Sequence, residues 1–288
     1  MSPLQRPDFR FLDRLRVRWA EVDMQRIVFN GHYLMYFDTA VAGYWRALAM
    51  PYHDTMQSLH GDLFVRKATL EYEASARYDD LLDVGIHCAR IGSSSIVFDA
   101  AVFRGAQRLV LGELLYVFAN PATQTSQSVP QILRDVLLGY EAGEAMVSVR
   151  SADWTALAAD ARPIREAVFV QEQGIPAALE HDAADATAVH AVAYNRFGRA
   201  LGTGRLLQRD AGVGQIGRMA VLATVRGAQV GRALLDALAN AARARGDREL
   251  MLHTQASAIA FYARAGFVPR GAPFEEAGIA HQEMVRAP

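Results

Sequence analysis

The sequence predicts an α+β protein of two domains, and three observations predict it. One long helix near the N-terminus with a single buried face precedes four strand-like runs. The second half instead alternates strands with helices as a mixed α/β domain does, and composition shifts between the two around residues 139–146. A chain of 288 residues lies near the upper size for one core, in keeping with a division into two.

The elements follow in order. Residues 11–20, FLDRLRVRWA, alternate with Leu15, Val17 and Trp19 on one side, as a half-buried strand does. A polar loop follows at 21–26. From 31 to 50 the residues Leu34, Phe37, Val41, Tyr44, Trp45 and Leu48 recur at three and four, which makes a helix with one buried face. The runs DLFVRKATLEYEASA, LLDVGIHCARIG, SSIVFDAAVFRG and RLVLGELLYVFA are each bounded by turn residues. A helix and a run of such strands predict an antiparallel sheet wrapped on that helix. VPQILRDVLLGY reads as a short helix, and the linker is expected at 139–146, dividing a first domain at 1–138 from a second at 147–288. Beyond it come a strand at MVSVRSA, helical patterning through 153–171, and strands at 188–195, 200–209 and 214–222. A helix at 226–245, a strand ELMLHT, a helix SAIAFYARA and a last strand around 280–286 complete the order.

Composition excludes several functions. With 51% hydrophobic and 21% charged residues the chain reads as a soluble globular protein, and its net charge is −1. The charge is even by halves, 14 basic against 15 acidic residues to position 140 and 16 against 16 after it, so neither half is a nucleic-acid binder by charge. Lys67 is the one lysine among 30 basic residues, a uniformity that reads as codon bias and carries no function. Cys88 is the single cysteine and has no internal disulfide partner, so a reducing, cytoplasmic setting is expected. The N-terminus has no apolar signal core and no run reaches the length of a membrane span, so no membrane contact is expected.

Two stretches carry chemistry. In the second half the strand QIGRMAVL runs into ATVRGAQVG and then into the 226–245 helix, whose Leu234, Leu235 and Leu238 pack one face. A helix N-terminus offers unpaired N–H groups and a positive dipole end, which suit a pyrophosphate. A glycine-opened helix start is equally an ordinary cap, and the loop alone does not separate the two. About thirty residues on, FYARAGF places Tyr262 on a short helix ending at Gly266. In the first half, WAEVDMQRIVFNGHYLMYFDTA sets Asp23 on a loop before the long helix. A carboxylate there could attack a thioester or activate water while helix N–H groups polarise the carbonyl; a turn or cap aspartate fits the same residues.

The second half resembles the GNAT N-acetyltransferases, through Arg226-x-x-Gln-x-Gly after a strand, the Phe-Tyr-x-x-x-Gly-Phe helix, and the stretches REAVFVQEQGIPAALEHDAADA and PFEEAGIAHQEM. The resemblance covers about residues 147–286. It implies that Arg226, Gly227, Ala228, Gln229, Val230 and Gly231, with Arg232, hold the pyrophosphate of coenzyme A (CoA). It further implies that the main chain of Met219 and Val221 pairs with the pantetheine arm. The Val221 N–H would support the oxyanion, and Tyr262 would protonate the leaving thiolate. Gln229 stands where the family usually has its central glycine, and Gln255 where asparagine is common. Glu172, Glu180, Asp182, Asp185 and His190 lie in the segment that commonly lines the acceptor side; they fit attraction of a cationic amine or a solvated acidic loop equally, and name no general base.

The first half resembles the hotdog-fold acyl-CoA thioesterases of the 4-hydroxybenzoyl-CoA type, through Asp23-x-x-x-Ile-Val-Phe-Asn, Tyr-Leu and Tyr-Phe-Asp-x-Ala, with ATLEYEASARYDDLLDV and IGSSSIVFDAAVFR downstream. It covers about residues 10–138. By position Asp23 is the catalytic carboxylate, Asn30 and Tyr33 lie at the helix start, and Asp38, on the helix, is a reserve candidate. Arg26 takes a position where the family has glycine. His32 and His87 read as structural. Together the resemblances imply a bifunctional enzyme that hydrolyses an acyl-CoA and transfers an acetyl or other acyl group from CoA to an amine. No metal is expected, and the first domain is expected to pair into a homodimer or homotetramer. The alternative is that one half is a dimerisation or CoA-sensing module.

Overall fold

The computed structural model describes residues 4–180, 182–276 and 279–288; at Leu179, Glu276 and Ile279 only the backbone is described. His181 and residues 277–278, which fall within two of the stretches that resemble the acetyltransferases, lie outside the described residues. The chain divides into two compact units, Met1–Met146 and Val147–Pro288.

In the first unit the order is β1 (Phe11–Arg16), α1 (His32–Ala47), α2 (Tyr52–Ser58), β2 (Asp62–Tyr72), β3 (Leu81–Ile91), β4 (Ser95–Arg104), β5 (Gln107–Ala119) and α3 (Gln131–Glu141). The five strands form one antiparallel sheet in the order β1-β3-β4-β5-β2. Helix α1 lies on it as the hotdog resemblance implies, burying Tyr33, Tyr36, Phe37, Ala40, Val41, Tyr44 and Trp45. Its approach depends on Gly112 in β5, where a Cβ would stand 2.6 Å from the Phe37 ring. Tyr44 is the hub, edge-on to Phe98 at 5.6 Å and to Tyr140 of α3 at 5.3 Å.

Three details differ from the sequence reading. The first strand stops at Arg16, and Trp19 turns into a short 3-10 helix, Trp19–Glu21, where it is 74% exposed. The alternation that grouped it with Val17 is therefore broken. Leu34 lies on the outer face of α1. Residues 139–146, expected as a linker, begin with the last turn of α3. There Glu141 accepts hydrogen bonds from Tyr44 Oη (2.6 Å) and the Cys88 N–H (2.9 Å) and meets His87 Nδ1 at 2.9 Å. Burial pushes the Glu141 carboxyl up, but these three contacts outweigh it and hold the pKa below the usual range.

The second unit contains β6 (Val147–Ala152), α4 (Trp154–Arg165), a π-helical turn (Glu166–Glu172), α5 (Ala177–Glu180), β7 (Val189–Asn195), β8 (Ala200–Asp210) and β9 (Val213–Val221). It continues with α6 (Val230–Arg245), β10 (Glu249–Gln255), α7 (Ile259–Arg264), β11 (Val268–Glu276) and β12 (Ile279–Arg286). The seven strands run in the order β11-β12-β10-β9-β8-β7-β6, and only β9 and β10 are parallel. The sequence reading did not include β11. The helix expected from 226 starts at Val230, after a 3-10 turn at Ala223–Val225. Among the described residues no helix is long and apolar enough to cross a membrane.

Candidate active sites

In the first unit, the segment between β1 and α1 folds into a turn that presents Asp23. Val22 and Val28 pair across it, the Asp23 N–H donates to the Ile27 carbonyl at 2.9 Å, and the Arg26 N–H returns to the Asp23 carbonyl at 2.9 Å. One carboxylate oxygen accepts from the Gln25 N–H at 2.8 Å, leaving the other for chemistry. Arg26 closes the turn at φ +62°, the left-handed conformation glycine favours, so the departure from the family's glycine leaves the turn in glycine's shape. The same conformation costs an L-residue roughly 1 kcal/mol or more. Replacing Arg26 by glycine is expected to raise unfolding stability by up to about 1 kcal/mol, less the chain entropy glycine adds, with hydrolysis kept. Urea denaturation checks it, and a loss of stability would show that the Arg26 side chain makes a contact worth more than the strain.

The turn is anchored from below by Glu21, 3% exposed, which accepts from Tyr36 Oη, the Arg18 N–H and Arg18 Nε, each at 2.7 Å. Burial alone pushes its carboxyl up; the three donors prevail and hold it ionised below the usual range. A cavity of about 360 Å³ opens beside the turn. Asp23, Phe29, Asn30 and Tyr33 line one side, and Tyr72 and Glu73 come from the end of β2 and the chain after it. Tyr72 Oη donates to the Asn30 carbonyl at 3.2 Å, and Tyr33 Oη accepts from the Ala76 N–H at 3.0 Å, joining the two walls. The sequence reading thus named one wall and missed the other, whose residues reach the site only through strand register.

Asp38 is exposed on α1, five residues beyond Tyr33. At about 100° and 1.5 Å per residue it faces another side of the helix, about 7.5 Å farther along, so of the two candidates Asp23 is the one that lines the cavity. His32 contacts Met35 Sδ at 3.3 Å and the Phe29 ring. His87, held by Glu141, is raised above the usual histidine pKa by that hydrogen bond and tethers α3.

In the second unit the site is an opening within the sheet. β9 and β10 pair only from Val213/Glu249 to Ile216/Leu252; beyond that β10 stays with β12 while β9 stays with β8. A bulge follows at once. Thr203 and Arg205 of β8 pair with Ala220 and Gly217, so two β9 residues, Arg218 and Met219, oppose one, and Arg218 takes φ +51°. The Leu222 N–H donates to the Leu201 carbonyl of β8 at 3.0 Å. By strand alternation Met219 and Val221 therefore turn their N–H and C=O groups away from β8, toward the opening.

At its mouth lies the 226–231 loop. Gly227 has φ +92°, and Gln229 takes the left-handed conformation at φ +62° as the N-cap of α6, again in glycine's shape. Val230, Gly231 and Arg232 form the first helical turn, whose N–H groups have no partner within a helix. A Cβ at Gly231 would meet the Phe261 ring at 3.3 Å, so α6 and α7 are in close contact there. The loop's arginines are both held by carboxylates. Arg232 pairs with Asp236 at 2.9 Å, and Arg226 meets Glu172 through two bonds of 2.6 and 2.7 Å while its Nε donates to the Val221 carbonyl at 3.1 Å. The Arg226 contact keeps the Glu172 carboxyl below its usual range. Tyr262 on α7 is 8% exposed among Phe261 and Phe267, and burial pushes its phenol up to about 12, so it keeps its proton at neutral pH.

The acidic segment separates into two parts. Glu172 is exposed at the end of the π-helical turn, whereas Glu180, Asp182 and Asp185 form an ion network with Arg165, Arg205 and Arg218. Asp182 is lowered to about 2, first by the Arg205 hydrogen bond. His190, 1% exposed, contacts the Asp185 carbonyl at 3.0 Å and lies tilted against the Trp154 ring; burial lowers its pKa and keeps it neutral. Three arginines balance three carboxylates, so this part of the segment braces β8 and β9 and carries little free negative charge. Among the described residues no group of three or more His, Cys, Asp or Glu is placed to hold a metal ion.

Comparison with known proteins finds a family match within each unit. Residues 155–287 match the acetyltransferase (GNAT) domain and residues 25–111 the thioesterase superfamily, Asp23 standing two positions ahead of the matched segment. An uncharacterized N-acetyltransferase of Bacillus subtilis, YjcF, is 37% identical over 128 residues, 44% of this chain and 90% of YjcF. The acyl-CoA thioester hydrolase YbgC of Escherichia coli is 26% identical over 121 residues, 41% of this chain and 87% of YbgC. The crystal structure of Escherichia coli ElaA superposes with a TM-score of 0.44 at 27% identity, over 49% of this chain and 99% of ElaA.

Proposed function

The chain belongs to the thioesterase superfamily through its first half and to the GNAT acetyltransferases through its second, and from that premise we propose a bifunctional enzyme of CoA thioesters. The first unit hydrolyses an acyl-CoA. The second transfers an acyl group, acetyl in the simplest case, from CoA to an amine. The observation that carries the proposal is that Asp23 lines a cavity in the first unit, while in the second β9 and β10 part and Tyr262 lies on the helix that follows β10.

In hydrolysis Asp23 acts on the thioester carbonyl, as nucleophile or as base to water. Water's oxygen bonds the acyl carbon, directly or by cleaving an acyl–Asp23 anhydride, the C–S bond breaks, and the CoA thiolate takes up the proton that water gives up as the free acid leaves. In transfer the acyl-CoA lies along β9 as an added strand, with its pyrophosphate on the N–H groups of Gly227 and of 229–232, the Ala228 N–H being held by the Val225 carbonyl. The neutral amine forms the C–N bond at the carbonyl, and the Val221 N–H supports the oxyanion. The C–S bond breaks with Tyr262 donating a hydrogen bond to the departing sulfur, and the proton shed by the amine nitrogen converts the thiolate to thiol. A phenol near 12 does not give its proton outright to a thiolate of ordinary basicity, about 8.5; its hydrogen bond stabilises the charge as it develops. Arg26 and Gln229, the departures that favour a non-catalytic module, leave both loops on glycine's backbone path.

The first unit also fits a homodimer or a larger assembly. β2 is an eleven-residue edge strand, largely exposed, and Phe29, Met35, Phe64, Val65 and Tyr72 are exposed around it and the Asp23 turn. A second copy pairing along β2 would continue the sheet and cover them. With one cysteine, Cys88, buried and free, the enzyme suits a reducing cytoplasm.

CoA thiol release from a panel of acyl-CoAs, with and without added amines, tests the function. Release without amine and faster release with one are expected from a protein that sediments as a dimer or larger. A full-length chain that releases thiol under neither condition sinks the proposal.

A further inference from the structure

Residues 172–173 touch both arms of the opening. Glu172 holds Arg226, in the turn after β9, through two bonds of 2.6 and 2.7 Å. Gln173 accepts a long hydrogen bond of 3.4 Å from Gln255 Nε2, at the end of β10. Both contacts start from the end of the π-helical turn Glu166–Glu172. That turn is seated on β9, where Val168 and Phe169 pack against Ala220 and Leu222. The π turn widens the helix by one residue per turn, and such turns recur at functional sites.

We propose that Glu172 and Gln173 form a strap across the mouth of the opening, under which the pantetheine arm of an acyl-CoA passes, and that Arg226 anchors this strap and does not bind phosphate. The inference rests on reading the opening as a CoA site. Three facts support it. Each side-chain nitrogen of Arg226 donates to Glu172 or to the Val221 carbonyl, within the mouth. Val221 is one of the two residues whose backbone faces the opening. Gln255, one methylene longer than the asparagine common in the family, has the length to reach Gln173 from the far arm. The strap also explains why the pyrophosphate loop can do without a guanidinium, since backbone N–H groups supply its donors.

A strap of this kind governs how fast CoA enters and leaves. Glu172 and Arg226 are each nearly half exposed, so the bridge is weak enough to open on each turnover, and its removal should leave the fold intact. Surface plasmon resonance with the full chain immobilised and acetyl-CoA as analyte measures both rates. Glu172→Gln, Arg226→Gln and Gln255→Asn are each expected to raise the dissociation rate up to about fivefold. Association should speed up as well, so that Kd changes less than the off-rate. The double variant Glu172→Gln/Arg226→Gln should be no faster than either single, because the two remove one bridge. Unchanged off-rates overturn the strap. So does tighter binding by Glu172→Gln with weaker, slower-associating binding by Arg226→Gln, which would make Arg226 a phosphate ligand restrained by Glu172. A wild-type chain that binds no acetyl-CoA overturns the reading of the opening itself, and the strap with it.

Discussion

Replacing Asp23 by asparagine is expected to lower amine-independent acyl-CoA hydrolysis by a factor of about 10²–10⁴, the range over which a positioned acid–base group contributes. Asparagine keeps the size of the side chain and the oxygen that accepts from the Gln25 N–H, so the turn should hold its shape. What disappears is the negative charge of the second oxygen, which both the nucleophilic and the water-activating routes require. Amine-dependent release, which the proposal assigns to the other unit, should stay near the wild-type rate. Following free thiol for the two reactions on one preparation gives both numbers. An Asp23→Asn protein that hydrolyses acyl-CoA as fast as wild type would assign the reaction to another group, with Asp38 the next to test.

Tyr262→Phe should give the complementary result. Phenylalanine fills the same space beside Phe261 and Phe267, so the loss is confined to one hydroxyl. The turnover number for acyl transfer is expected to fall by about 10²–10³, with hydrolysis and CoA affinity nearly unchanged. If affinity falls and turnover does not, Tyr262 holds the coenzyme and does not assist the leaving sulfur.

The sequence disclosed the fold well where one element imposes its own period. The spacing of Phe37, Val41, Tyr44 and Trp45 predicts α1, and these residues are buried as that spacing requires. It failed at Trp19, because a strand and a strand that ends early share the same alternation until the turn intervenes. At the sites, local motifs pointed to Asp23 and to the 226–231 loop. They did not point to Tyr72 or Glu73, which line the cavity opposite Asp23 only after β2 has paired with β5, nor to Gln173, whose partner Gln255 stands 82 residues away. His190 shows the converse. Its place among acidic residues suggested an accessible acceptor side, whereas a neighbouring tryptophan and two arginines close it in. Composition cannot distinguish a charge that faces solvent from one neutralised by an arginine far along the chain.

The parting of β9 from β10 has one more consequence, for what can bind there. Main-chain groups left unpaired at the rim of a sheet are accessible to any passing polypeptide and invite aggregation. The Met219 groups and the Val221 N–H, which face away from β8, lie instead in the middle of seven strands, inside a wedge shut at Ile216 and Leu252. A full peptide strand laid between two others would need about 4.8 Å on each side along its whole length, which a wedge does not provide. A wedge of that shape suits a slender, flexible chain with a few amide groups of its own better than a peptide strand.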